Sequence, residues 1–196
     1  HGYLIADEPG LGKTFLCLMY LKMRRLHWLK LRENGLTHFV YPSIIMAPLS
    51  ALETWKREAL LVFEPDEILE HHGSHRNVER VSADKIRRTA LVITTHAVTF
   101  RDGVNMLDTT HPMFDCVVLD EGHILHSGVR RPSSNPKRRR VSNTSDVIMS
   151  FKNRSQVRLV VTGTPFRNSV KDLYIIRDFI EEKSSFVNNE VISNNT

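Results

Sequence analysis

Apolar positions along the chain fall into short, nearly unbroken runs separated by longer amphipathic stretches. The runs lie at residues 3–6, 43–50, 67–73, 90–96, 115–123 and 157–165, bounded by Gly, Pro or polar residues. Their length suits strands. From Lys13 onward, Leu16, Met19, Tyr20, Met23 and Leu26 recur at helical spacing until Asn34-Gly35 supplies a stop. "ALETWKREALLVF", after Pro48, has the same periodicity, and a last helix is expected near 170–180, with Ser169-Val170-Lys171-Asp172 as its capping box. Apolar strands alternating with amphipathic helices predict an α/β fold, a mostly parallel sheet with helices on both faces. Tyr3–Ala6 is expected as a buried strand. Cys17 and Cys116 sit in apolar segments and read as core thiols rather than a disulfide.

Two segments break the rhythm. Residues 128–145, "GVRRPSSNPKRRRVSNTS", are rich in Ser, Asn, Pro and Arg and read as a basic insertion, a solvated loop or disordered, with a nuclear-import signal or DNA contact as the alternative role of its basic run. Residues 184–196, "SSFVNNEVISNNT", form a polar tail, leaving residues 1–183 as one domain. A length of 196 residues, 41% apolar and 25% charged, suits one globular domain with a real core. No run of 18 apolar residues exists to cross a membrane. The chain begins inside its first motif without an initiator Met and reads as a fragment or excised domain. The net charge of +5 and pI near 9.4 favour a polyanionic partner only weakly, because Lys137–Arg140 supply part of the excess.

Candidate chemistry concentrates in two strings. In "LIADEPGLGKTF", Gly10 and Gly12 permit backbone conformations in which successive N–H groups converge on an anion. The helix start adds partial positive charge, Lys13 suits the β/γ-phosphates, and the Thr14 hydroxyl suits Mg²⁺. The strict pattern G-x-x-x-x-G-K-[ST] has Gly where this chain has Asp7, so a plain strand–turn–helix connection is the alternative. In "CVVLDEGH", a strand interior ends in two carboxylates. Ligands of doubly wound sheets sit at such carboxyl ends. Asp120 suits Mg²⁺, and Glu121 suits orienting and deprotonating a water. An acidic helix cap is the alternative for an isolated Asp-Glu.

"DEPGLGKT", "IIMAPLSALETWKREA", "LVITTHAVTFRD", "DEGH" and "LVVTGTPFRNSVKDLYIIRDFI" occur in the order of the helicase motifs of Swi/Snf-type ATPases. Over residues 2–181 the chain resembles these DNA translocases of helicase superfamily two, which carry Asp at the position of Asp7. The resemblance implies the N-terminal RecA-like P-loop lobe of a protein whose two lobes close around ATP while moving along duplex DNA. It implies an ATP site at Asp7, Glu8, Pro9, Gly10, Leu11, Gly12, Lys13 and Thr14, with Mg²⁺ at Thr14 and Asp120. Lys13, Asp120 and Glu121 would be catalytic, and His123 would pass the nucleotide state to Thr162, Gly163 and Thr164. Pro48, Leu49 and Ser50 match one DNA-tracking motif and Thr94-Thr95 another; hydroxyls and N–H groups there suit phosphate oxygens. "HHG" at 71–73 is expected to be structural.

The implied partners are double-stranded DNA or nucleosomes and a second RecA-like lobe bearing arginine fingers. The implied location is the nucleus, and no membrane is involved. Pro9 replaces an expected Met, His96 a Tyr, and Arg167 a Gln. The family's adenine-recognising segment and second lobe lie outside this sequence, and the stretch between "DEGH" and "TGTP" is long. Two other readings are a superfamily-two RNA helicase lobe, which usually carries S-A-T in place of T-G-T-P, and a nucleotide-binding scaffold that has lost turnover.

Overall fold

The computed structural model describes residues 1–73, 86, 88–108, 114–128, 144–164 and 171–181. Six strands, β1 (Gly2–Ile5), β2 (Ser43–Ala47), β3 (Ile68–His71), β4 (Leu91–Thr95), β5 (Phe114–Asp120) and β6 (Ser155–Val161), form one sheet in the order β1-β6-β5-β2-β4-β3. Every pairing among them is parallel. Parallel neighbours cannot be joined by a hairpin, so the chain returns through crossovers. The helices described are α1 (Lys13–Glu33), α2 (Leu52–Ala59), α3 (His96–Asp108), α4 (Thr144–Lys152) and α5 (Lys171–Ile180).

The two-residue period of a strand splits the apolar runs into two cores. Ile45 and Ala47 of β2, Cys116 and Val118 of β5, and Val157, Leu159 and Val161 of β6 face α1 and α2, where Cys17, Leu18, Leu21, Leu52, Trp55 and Ala59 meet them. Ile44, Met46, Val117, Leu119 and Val160 point to the opposite face. There they pack with Met106 of α3, Val147, Ile148 and Phe151 of α4, and Ile176 and Phe179 of α5. The expected α/β architecture, a mostly parallel sheet with helices on both faces, is the one observed.

Two expectations are corrected. The first run is not a buried strand: β1 is an edge strand paired only with β6 among the described residues, and Tyr3 is 54% exposed. Most of the periodic set on α1 is not its core face either, since Leu16, Met19, Met23 and Leu26 are exposed and only Tyr20 of the set packs against the core. The buried side instead runs through Cys17, Leu18 and Leu21. It continues in Arg24 and Trp28, whose side chains both reach the buried Asp115 of β5. A charged, hydrogen-bonded carboxylate must keep its partners once buried. That anchor, polar in the sequence, sets which way α1 turns.

The expected insertion begins at Gly128, which closes a 3-10 segment Gly122–Gly128, and its last residues, Thr144 and Ser145, open α4. Residues 129–143, Arg167, and Ser169 and Val170 of the expected capping box lie outside the described residues. No described helix is long and apolar enough to cross a membrane.

Both thiols are free and fully buried. Burial, with the nearby Asp120 charge adding to it, pushes Cys17 up to about 12, and burial likewise raises Cys116. At pH 8 a thiol with such a value is thiolate only about one part in 10⁴, and the thiolate is the reactive form. Neither cysteine is expected to react with a chromogenic disulfide reagent before denaturant is added, and both react after it. Prompt labelling of the native protein would contradict the burial.

Candidate active site at the carboxyl edge of the sheet

Strand register brings the chemistry together. Ile5 of β1 lies opposite Val161 of β6, and Val161 lies opposite Asp120 of β5. Three neighbouring strands therefore end level, and residues 6–13, 121–123 and 162–164 leave the sheet side by side. Backbone hydrogen bonds continue past the ends: Thr162 N–H donates to Ile5 O at 3.0 Å, and Glu121 N–H to Val161 O at 2.8 Å. On the other side of β5, Met46 of β2 pairs with Leu119 and Thr94, and Ala47 with Thr95. Pro48–Ser50 and His96 thus emerge at the same edge.

The loop from Asp7 to Gly12 is exposed, and α1 begins at Lys13. Gly10 and Gly12 hold φ of 87° and 75°, the left-handed region that side chains disfavour. Gly12 is the N-cap residue and supplies no side-chain cap to the first turn. Lys13 folds back under the loop, its Nζ donating to Asp7 O at 2.6 Å and Glu8 O at 2.7 Å. Thr14 follows, half-buried, on the first turn of α1. A glycine-shaped loop, an uncapped helix start, an ammonium and a hydroxyl make a donor set that fits a polyphosphate and its Mg²⁺. Among the described residues no group of three or more His, Cys, Asp or Glu side chains is placed to hold a metal. A Mg²⁺ held by Thr14 and Asp120 would complete its shell with phosphate and water oxygens, the usual arrangement for that ion.

Asp120 is clamped at both oxygens. Its Oδ1 accepts the Glu121 N–H at 3.0 Å, and its Oδ2 accepts the Trp55 indole N–H at 2.7 Å. Burial raises its pKa above the ordinary carboxylate value, as does the Glu121 charge; the two hydrogen bonds and the Lys13 charge act the other way. Glu121 adopts φ of 53° and is the only non-glycine residue with positive φ among those described. Left-handed backbone costs a side-chain-bearing residue about 1–2 kcal/mol. Its carboxylate is also tied down: Oε2 lies 3.1 Å from His123 Nδ1 and accepts the Thr162 hydroxyl at 3.3 Å, while Thr164 N–H donates to Thr162 Oγ1 at 3.1 Å. One hydrogen-bonded path therefore joins His123, Glu121, Thr162 and Thr164. Gly163 closes the group, since a Cβ there would sit 3.3 Å from the Pro9 ring.

Gly122 is required for a different reason. A Cβ at this position would lie 2.3 Å from Val160 Cγ1, inside the core. Gly122→Ala is expected to destabilise the protein by about 1–3 kcal/mol through overpacking. Val160→Ala in the same chain should recover part of that loss. Urea unfolding of the two variants checks it, and an unchanged midpoint for Gly122→Ala would show that the contact yields freely.

The two expected DNA-contact segments are placed differently. Leu49 is 73% exposed and Ser50 is exposed, on a 3-10 turn (Leu49–Ala51) that runs into α2. Thr94 and Thr95 are buried, and their side chains are engaged within the fold. The Thr94 hydroxyl donates to His71 O at 2.8 Å, and Thr95 Oγ1 accepts the Val98 N–H at 3.1 Å. They tie β4 to β3 and start α3 rather than offering hydroxyls at the surface. His71 itself pairs with Asp102 at 3.0 Å, both buried, which fits the structural role expected of "HHG".

Trp55 and His96 were not among the expected site residues. Trp55 sits at core spacing on α2, where an indole reads as packing. His96 is buried with its Nε2 3.1 Å from Met46 O, so that nitrogen carries the proton. Burial holds its pKa below the ordinary histidine value, while the Asp120 and Met46 carbonyls act in the other direction.

A family model described as an SNF2-related domain matches residues 1–191. The chain is 26% identical over 181 residues to the ATP-dependent helicase FUN30 of Saccharomyces cerevisiae, a match covering 90% of this chain and 14% of that protein. It is 26% identical over 182 residues to the ATP-dependent DNA helicase DDM1 of Arabidopsis thaliana, covering 90% of this chain and 20% of that one. It thus spans a fifth or less of the length of these relatives. Among solved structures, it superposes on the Sulfolobus solfataricus SWI2/SNF2 ATPase core in complex with dsDNA with a TM-score of 0.61 at 23% identity, covering 91% of this chain and 31% of that one. The Pyrococcus furiosus Hef helicase domain gives 0.58 at 17% identity, with 91% and 33% covered. Those two likenesses concern the fold. With the motif order, the register of the strand ends and a family match along nearly its whole length, the chain belongs to the SNF2-related domain family.

Proposed function

We propose that this chain is the ATP-binding lobe of a DNA-dependent ATPase of the Swi/Snf type, which in the intact protein couples ATP hydrolysis to movement on double-stranded DNA or chromatin. The observation that carries the reading is the level ending of β1, β6 and β5, which sets the Gly10–Thr14 loop beside Asp120-Glu121 and Thr162–Thr164. Gly10, Gly12 and the first turn of α1 receive the phosphates, with Asp7, Glu8, Pro9 and Leu11 shaping the loop. Lys13 offers its charge to the β/γ-phosphates. Thr14 and Asp120 would hold Mg²⁺, which would supply neutralisation of phosphate charge. Glu121 orients the attacking water and takes its proton. With Oε2 held by Thr162 and His123, Oε1 is the oxygen left to face that water. His123, Thr162, Gly163 and Thr164 form the path by which a change at Glu121 reaches the face that a second lobe would meet.

DNA contact is assigned to the exposed turn at Pro48, Leu49 and Ser50, with Thr94 and Thr95 holding the neighbouring backbone from beneath. The ATP-dependent helicases among the relatives favour turnover over a silent scaffold, and a DNA helicase among them supports a nuclear location. The test is steady-state ATP hydrolysis by the intact protein with and without duplex DNA. Stimulation by duplex DNA is expected. Stimulation by structured RNA alone would point to the RNA-helicase reading.

A further inference from the structure

We infer that Trp55 is a positioning residue for the Asp120 carboxylate, and that through α2 it links the exposed Leu49–Ala51 turn to that carboxylate. The inference rests on the ATP-site reading above. Trp55 is 1% exposed and among the largest fully buried side chains. For packing alone a phenyl ring would serve; the indole adds one N–H, which can only donate. That donor goes to Asp120 Oδ2 at 2.7 Å, 65 residues away in sequence. That distance lies at the close end of the N–H···O hydrogen-bond range. With Oδ1 held by the Glu121 amide, the plane of the carboxylate is fixed, and one lone-pair direction on each oxygen remains for a ligand. Partners that orient a metal-binding carboxylate commonly change affinity or activity 10–100-fold when removed.

The link follows from the chain path. Pro48 leads into the 3-10 turn Leu49–Ala51, which continues without a break into α2 at Leu52. Trp55 lies one turn further on, and Leu52, Trp55 and Ala59 form the buried side of α2. A short helix packed on one face moves as a unit. A ligand that shifts the Leu49–Ser50 turn therefore shifts the indole N–H relative to β5. DNA phosphate on the turn and Mg²⁺ at Asp120 are thus joined through one side chain.

The test uses the intact protein with Trp55→Phe. A second form carries the benzothienyl analogue of tryptophan at position 55, which keeps the bicyclic shape and puts sulfur in place of N–H. Equilibrium binding of a fluorescent ATP analogue is titrated with Mg²⁺, and hydrolysis is then measured with and without duplex DNA. The Mg²⁺ concentration for half-maximal binding is expected to rise about 10–100-fold in both forms. Binding without Mg²⁺ should be unchanged, and the stimulation by DNA should shrink. An unchanged Mg²⁺ requirement in the analogue form would overturn the positioning role, and unchanged stimulation would overturn the link. Glu121→Gln run alongside separates this from the broader reading: if it hydrolyses normally, the site assignment itself fails, whatever Trp55 does.

Discussion

Replacing Glu121 by Gln in the intact protein is expected to slow ATP hydrolysis by about 10²–10⁴-fold while nucleotide still binds. Gln keeps the length and most hydrogen-bonding capacity of the side chain, so the Thr162 hydroxyl can still donate to it and the left-handed turn at residue 121 has no new group to fit. Asp120 stays clamped by Trp55 and the residue-121 amide. What disappears is the carboxylate that can accept a proton. Single-turnover hydrolysis on saturating duplex DNA, with binding measured separately, checks both halves. Normal turnover would reduce Glu121 to a helix cap and remove it from the chemistry.

The second large effect concerns the rest of the protein. Residues 1–196 on their own are expected to hydrolyse ATP about 10³–10⁵-fold more slowly than the intact protein on DNA, because an arginine finger supplied from outside the phosphate loop is worth that much. Lys13, the cation of the phosphate loop, sits at one end of the site and is bonded to its own loop's carbonyls. Thr164, at the far end of the path through Glu121 and Thr162, is exposed. Steady-state rates for the two proteins, each with and without duplex DNA, provide the comparison. Strong DNA-stimulated turnover by the single lobe would show that it carries everything required.

Much of this was legible in the sequence, for identifiable reasons. Fully apolar runs such as Ile44–Ala47 and Cys116–Leu119 have the length and pattern of strands in a covered sheet, and all these residues are buried. The loop glycines before Lys13 and the carboxylates after Leu119 carry chemistry that spacing alone displays. Parallel pairing then obliges them to share an edge. The orientation of α1 was hidden because its core face contains Arg24 and Trp28, held by Asp115. A count of apolar positions instead selects the exposed Leu16, Met19, Met23 and Leu26. The edge position of β1 was hidden because Tyr3–Ala6 is as apolar as an interior strand. Thr94 and Thr95 show the same limit: a hydroxyl at a strand end can meet a phosphate or a backbone group, and only the register with β3 and the start of α3 shows that here it meets backbone. Trp55 was invisible as a site residue because its partner, Asp120 at the end of β5, lies 65 residues away in sequence.

If the Asp7–Thr14 loop binds the phosphates of ATP, the Lys13 charge must contribute to nucleotide affinity. Equilibrium titration of a fluorescent ATP analogue into the intact protein in the presence of Mg²⁺, for the parent and for Lys13→Ala, is the deciding measurement. Loss of a charge-assisted contact worth about 1.5–3 kcal/mol predicts affinity lower by roughly 10–100-fold, with the melting temperature little changed because the ammonium's hydrogen bonds go to carbonyls of the exposed loop. Equal affinity of the two proteins for the nucleotide would contradict phosphate binding by the loop.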